Sequence, residues 1–164
     1  MEKKRLRDMT WDDYGISRNR YKELKAFCLQ YEEKKKGIQH SVMSRQSVEW
    51  QAITNAANSR DCRLIEEAAI RANPGIWKHI LKSATQDLPY KYVEYSDEFG
   101  RIMVCRTDFY AYRRLFYYYL DGLKIGYSSI SRRLLMKSAS ILSARESNRR
   151  LTDVSNIFSA FTRK

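Results

Sequence analysis

From Arg106 to Leu120 the chain reads Arg-Thr-Asp-Phe-Tyr-Ala-Tyr-Arg-Arg-Leu-Phe-Tyr-Tyr-Tyr-Leu, with cations and phenols interleaved among apolar rings. At 100° per residue on a helix, Phe109, Tyr112, Phe116 and Leu120 share one face, flanked by Leu115 and Tyr119. Tyr110, Arg114, Tyr117 and Tyr118 share the opposite face, with Arg113 at its edge. The pattern predicts an apolar face held inward and an Arg/Tyr face turned outward. An outward guanidinium grips phosphate or pairs with guanine in the major groove, and a tyrosine hydroxyl reaches phosphate oxygens. Arg106, Thr107 and Asp108, at the start of the helix, would be carried toward the bases. With Arg132 and Arg133 further on, the candidate nucleic-acid-binding residues are Arg106, Thr107, Tyr110, Arg113, Arg114, Tyr117, Arg132 and Arg133. An aromatic-rich helix is also the ordinary core helix, or half of a dimer interface, and the pattern leaves these readings open.

Other reactive side chains point to little chemistry. Asp12-Asp13, Glu32-Glu33 and Glu66-Glu67 are adjacent acids, and neighbours on a helix diverge by about 100°. They read as solvated faces or caps. No Gly-rich phosphate loop or nucleophile motif is present, so the expectation is a protein without catalytic residues. Cys28, Cys62 and Cys105 lie more than 30 residues apart, and His40 and His79 sit near no cysteine pair. That spacing favours neither a disulfide framework nor a metal site. Buried reduced thiols are expected instead, and no cofactor is implied.

The 164 residues hold 31 Lys/Arg against 19 Asp/Glu, a net charge of +12. The length suits one domain, and a hydrophobic fraction of 43% is enough to fold. Such an excess of positive charge calls for an anionic partner: nucleic acid, an acidic protein or an anionic membrane. No apolar run approaches the roughly 20 residues that cross a bilayer. Met1-Glu2-Lys3-Lys4-Arg5 has no apolar stretch behind it and does not read as a signal peptide. Cytoplasmic work, off the membrane, is the expectation.

The elements that must position these residues read as helices, because two prolines and six glycines punctuate the chain. Thr10 with Asp13 fits a capping box opening a short helix, Gly15 breaks it, and Ser17 caps the next. On that helix Tyr21, Leu24, Cys28 and Tyr31 form a buried stripe beside Phe27, and Lys34-Lys35-Lys36-Gly37 ends it. Residues 37–46 read as a loop. From a cap at Ser47 to Asn73, Trp50, Ile53, Ala57, Leu64 and Ala68 make an apolar stripe. The polar Asn58-Ser59-Arg60-Asp61 is either an exposed stretch of one helix or a break between two. Asn73-Pro74-Gly75 is a boundary. A helix over 75–86 then buries Ile76, Trp77, Ile80, Leu81 and Ala84. Residues 90–104 fit a small β-hairpin, or a short helix and a loop. The Arg/Tyr helix should run from Thr107 to Asp121 and close at Gly122. From Lys124 on, nine Lys/Arg face only Glu146 and Asp153, with nine serines. Ile130 to Leu142 and Leu151 to Phe161 suggest two amphipathic helices there. The expected fold is mainly α: a helical bundle with a helix-turn-helix-like element. Its regions are an N-terminal helical region (1–87), a helix-turn-helix-like region (88–122) and a basic helical tail (123–164).

One set of residues carries a family likeness. Cys105-Arg106, Phe109-Tyr110, Arg113-Arg114-Leu115-Phe116-Tyr117 and Leu120 resemble the end of phage proteins related to the RinA and ArpU late-gene transcription regulators, which themselves resemble region 4 of sigma factors. The opening, Met9 to Ser17 followed by Arg20-Tyr21, Glu23-Leu24 and Phe27 to Tyr31, is similar to that of the same proteins. So is the centre, at Leu64-Ile65-Glu66, Ala68-Ala69-Ile70, Asn73-Pro74 and Leu88-Pro89-Tyr90. The likeness spans roughly residues 9–122 and implies a helix-turn-helix DNA-binding role, with Arg106 and Thr107 opening the reading helix. Residues 91–104 are longer and more strand-like than a compact sigma-type turn, and the tail after Gly122 departs from the family. Two functions follow as expectations. One is a phage or prophage DNA-binding transcriptional regulator in the bacterial host cytoplasm, bound to double-stranded DNA and compatible with a homodimer pairing half-sites. The other is a small phage inhibitor of anti-CRISPR type, docked on a host defence or nucleic-acid-handling enzyme through Tyr and Arg anchors.

Overall fold

The computed structural model describes residues 4–40 and 48–127, the side chains of His40 and Val48 apart. The expected Ser47 cap, most of the expected loop at 37–46, the two tail helices, and Arg132 and Arg133 lie outside these residues. Residues through Lys124 form one compact unit, and Ile125–Lys164 form a second. The description below concerns the first.

The chain opens with a 3-10 turn, Leu6–Asp8, and a tight turn over residues 11–15. Here the Thr10 amide and hydroxyl both donate to Asp13 Oδ2 at 2.8 Å, and the Asp13 amide returns a weaker bond to Thr10 Oγ1. The reciprocal bonding is that of a capping box, but Gly15, at φ +67°, ends the turn before a helix forms. The expected short helix is therefore a turn. Ser17 then caps α1 (Arg18–Leu29), its Oγ accepting from the Arg20 amide at 3.2 Å.

α1 stops at Leu29, and α2 (Tyr31–His40) restarts after Gln30 and runs through Gly37. The expected end at Lys34–Gly37 is thus overturned, as is a loop beginning at 37. The reason is packing against α3 (Val48–Ala72). Lys34 pairs with Asp61 at 2.7 Å, and a β-carbon at Gly37 would stand 3.3 Å from Asn58 Nδ2. Gly37 is there for close approach between helices rather than as a stop signal. Asn58 and Asp61 also explain the polar interruption: α3 is one continuous helix whose polar stretch meets α2.

α3 has 25 residues, so it is roughly 37 Å long at 1.5 Å per residue. It outreaches its neighbours α2 and α4. Burial begins at Cys62, followed by Leu64, Ile65, Ala68, Ala69 and Ala72. Trp50 and Ile53, expected in the stripe, are 69% and 63% exposed, because the first turns of α3 project past the helices that pack on it. α3 ends at Ala72, before Asn73-Pro74. α4 (Trp77–Thr85) buries Ile80 and Ala84 against α1 and α3.

Between α4 and the last helix the chain forms a one-turn helix, α5 (Tyr90–Val93), and a hairpin of β1 (Tyr95–Ser96) and β2 (Gly100–Arg101). The strands pair antiparallel, Tyr95 with Arg101 and Ser96 with Gly100. Both sequence alternatives for 90–104 are therefore present, in succession. His79 ties the hairpin to α4 through a 3.2 Å hydrogen bond between Nε2 and the Gly100 carbonyl. The last helix, α6, covers residues 106–127 and adds Phe109, Phe116, Tyr117 and Leu120 to the core. It does not close at Gly122, which lacks the left-handed backbone of a C-cap. Its next turn is held to α1, where Asp121 pairs with Arg20 and Lys124 pairs with Glu23 while lying 4.3 Å from the Phe27 ring centroid.

The cysteines are all reduced, but only Cys28 and Cys62 are buried. Cys105 is exposed, against the expectation, because it is the boundary residue whose carbonyl takes the first hydrogen bond of α6, from the Phe109 amide. A disulfide reagent added to native protein should therefore modify one thiol within minutes. The other two should react at least about a thousandfold more slowly, since they wait on opening of the fold. Equal rates for the three thiols would contradict the burial.

Candidate functional site

α6 carries six of the predicted residues, but its buried arc is rotated from the one read off the sequence. Tyr117 is fully buried and the Arg113 side chain only 12% exposed, whereas Tyr112 is half-buried. The outward placement of Arg113, Arg114, Tyr110 and Tyr117 is corrected accordingly. The cause is the N-terminal segment, which folds over that face. The Trp11 ring packs at a tilt against Tyr21 and Tyr117, with centroids 4.5 and 5.9 Å away, and Tyr14 lies 5.3 Å from Tyr118. The Arg7 carbonyl accepts from Arg114 Nη2 at 3.1 Å. The missed signal is in Trp11, Tyr14 and Ile16, three large apolar groups within six residues, which need a surface to cover.

Under this cover Tyr110, Arg113, Arg114 and Tyr117 come together with Trp11 and Tyr21 around a cavity of about 220 Å³. Its electrostatics are lopsided. The only carboxylate near Arg113 among the described residues is Asp87, at 3.4 Å, and Asp87 is shared with Lys25 at 2.7 Å. Asp87 holds that position at φ +52°, a left-handed conformation in which Asp is tolerated. Arg114 pairs with no carboxylate among the described residues, and its Nε is sealed from solvent without a hydrogen-bond partner. The Tyr117 hydroxyl is likewise buried and unsatisfied, lying beside the Arg113 guanidinium without an aligned hydrogen bond. Burial holds that phenol protonated, well above the usual tyrosine range, so it remains a donor. Tyr110 Oη accepts from the Tyr90 amide at 3.2 Å, which leaves its proton for the cavity.

A half-buried cation without a carboxylate partner, Arg114, with its Nε–H sealed and the Tyr117 hydroxyl of the same cavity unsatisfied, is costly unless an anion or water completes it. The arrangement suits capture of a compact anion, and its side chains are binding groups rather than an acid–base pair. Arg106 and Thr107 are exposed at the start of α6, with the Arg106 guanidinium 5.9 Å from the Tyr110 ring centroid. They stand near the cavity wall rather than in it. Among the described residues no cluster of His, Cys, Asp or Glu is placed to hold a metal ion.

The chain matches no known family model, no curated protein and no solved structure.

A second cleft, of about 400 Å³, lies between α2, α3, α4 and the hairpin. Its three lysines, Lys35, Lys78 and Lys82, are balanced by Glu32, Glu66 and Glu98. Tyr31 donates to Glu66 at 2.5 Å. With charges matched, this cleft carries no net preference for an anion.

Proposed function

We propose that the chain is a nucleic-acid-binding protein, a phage or prophage DNA-binding transcriptional regulator that works in the bacterial cytoplasm. The observation that carries this reading is the cavity under Trp11, where two guanidiniums face one shared carboxylate. The distribution of charge supports it. Eight acids of the folded unit, Asp13, Glu23, Asp61, Glu67, Asp87, Glu94, Asp108 and Asp121, are each engaged in an ion pair. After Tyr127, eight Lys/Arg meet only Glu146 and Asp153. In composition that stretch is strongly cationic, which suits the phosphate backbone. The likeness to late-gene regulators adds the transcriptional role, with Arg106 and Thr107 still exposed. No described helix is long and apolar enough to cross a membrane.

The test is fluorescence anisotropy of the full chain with labelled duplex DNA over a salt series. Neutralising roughly five to eight phosphates gives a log–log slope of about −4 to −7. Absence of duplex binding at about 50 mM salt, where counterion release favours association most, overturns the reading.

Trp50 and Ile53 favour a second reading. Exposed together on α3, they are the kind of apolar anchor that protein interfaces use. A small inhibitor of anti-CRISPR type, docked on a host defence enzyme, would retain a protein partner from nuclease-treated host lysate and lose it on Trp50→Ala.

A further inference from the structure

We infer that the cavity beneath Trp11 is a receptor for a phosphomonoester, the phosphate at the end of a strand or on a nucleotide, rather than for a backbone phosphodiester. The inference rests on the nucleic-acid reading and narrows it. Donors converge from two helices: Tyr21 on α1, and Tyr110, Arg113, Arg114 and Tyr117 on α6. Two of these groups, the Arg114 Nε–H and the Tyr117 hydroxyl, are buried and unsatisfied. Convergent donors suit a group with three terminal oxygens, which a monoester has and a diester lacks. Charge argues the same way. A monoester carries about −1.5 to −2 at neutral pH, close to the charge left by Arg113, Arg114 and Lys25 once Asp87 is counted, whereas a diester carries one negative charge. A diester also needs two exits for its substituents. Here the packed rings of Trp11, Tyr21 and Tyr117 line the cavity, which suits a group attached from the open side. Arginine is the apt residue because its planar fork meets phosphate oxygens in pairs.

The test uses the full chain and two matched short single strands, labelled at the 3′ end and bearing either a 5′-phosphate or a 5′-hydroxyl. A nucleoside 5′-monophosphate and inorganic phosphate serve as competitors. The phosphorylated strand should bind about ten- to a hundredfold tighter, the worth of one or two hydrogen bonds to a charged group. Arg114→Gln should erase that preference. Tyr117→Phe, which removes one oxygen from a side chain that otherwise keeps its packing, should reduce it severalfold while the thermal midpoint and circular dichroism stay close to the parent. Competition by the monophosphate at strand-like affinity would assign the site to free nucleotides, and weak competition to strand ends; either result supports the inference. Equal binding of the two strands, with neither competitor acting, overturns the inference but leaves nucleic-acid binding standing. Quenching of Trp11 fluorescence by phosphate, lost in Trp11→Phe, without binding of any strand or duplex, would support the site and overturn the nucleic-acid reading.

Discussion

Phe116→Ala should destabilise the protein by about 3–5 kcal/mol, the usual cost of emptying a buried aromatic site. Phe116 is fully buried and lies edge-on to Tyr117, with ring centroids 4.9 Å apart. Tyr117 in turn contacts Trp11 and Tyr21. The hole therefore opens behind the residue that supports both the N-terminal cover and the anion cavity. Loss should be felt as a fall in the urea midpoint and as exposure of Trp11. Trp50→Ala, on the projecting end of α3, should change stability by no more than about 0.5 kcal/mol. A comparable cost for the two substitutions would mean that α6 is not the centre of the core.

Raising the pH should unfold the protein from about pH 9 upward. Burial pushes the Cys28 thiol from an ordinary value near 9 up to about 12, only partly opposed by Arg113, Lys124 and Lys34. Burial likewise lifts the Tyr117 phenol, and burial together with its hydrogen bond to Glu66 lifts Tyr31. In the unfolded chain these groups ionise near their ordinary values, while in the folded state they keep their protons. Over that window the unfolded state binds fewer protons, so stability present below pH 9 is lost as pH climbs toward 12. At about 1.4 kcal/mol per pH unit of displacement, Cys28 alone puts the effect at several kcal/mol. Urea titrations at about pH 8, 9.5 and 11 should show the fall, and Cys28→Ala should flatten it. A level profile for the parent protein would contradict the burial of Cys28.

What could be read in the sequence was what local chemistry decides. The Ser17 cap and the Asn73-Pro74 boundary each depend on a residue and its near neighbours, and each stands where the pattern placed it. Gly37 and Gly122 misled because a glycine signals a helix end only when no partner helix needs the space or holds the next turn. At Gly37 the partner is Asn58; past Gly122 the holding groups are Arg20 and Glu23. The periodicity of α6 showed that one face is apolar. It did not show that Trp11 and Tyr14, about a hundred residues earlier, would cover the face bearing Arg113 and Tyr117. That cover turns what reads as an open recognition face into a walled cavity, a long-range outcome to which helical spacing is blind. The same blindness put Trp50 and Ile53 in the core: they share a stripe with Ala57 and Leu64, but nothing in the stripe records where the neighbouring helices stop.

The most direct check of the cationic cavity is the side-chain NMR of arginine Nε–H groups during a phosphate titration of the full chain. The Arg114 Nε–H, buried and unsatisfied within the protein, should be protected from exchange and should move saturably to the low field of a charge-assisted hydrogen bond, ahead of exposed Arg106. A signal for Arg114 that exchanges as fast as that of Arg106 and stays unmoved at saturating phosphate would contradict both the cover by the N-terminal segment and the site beneath it.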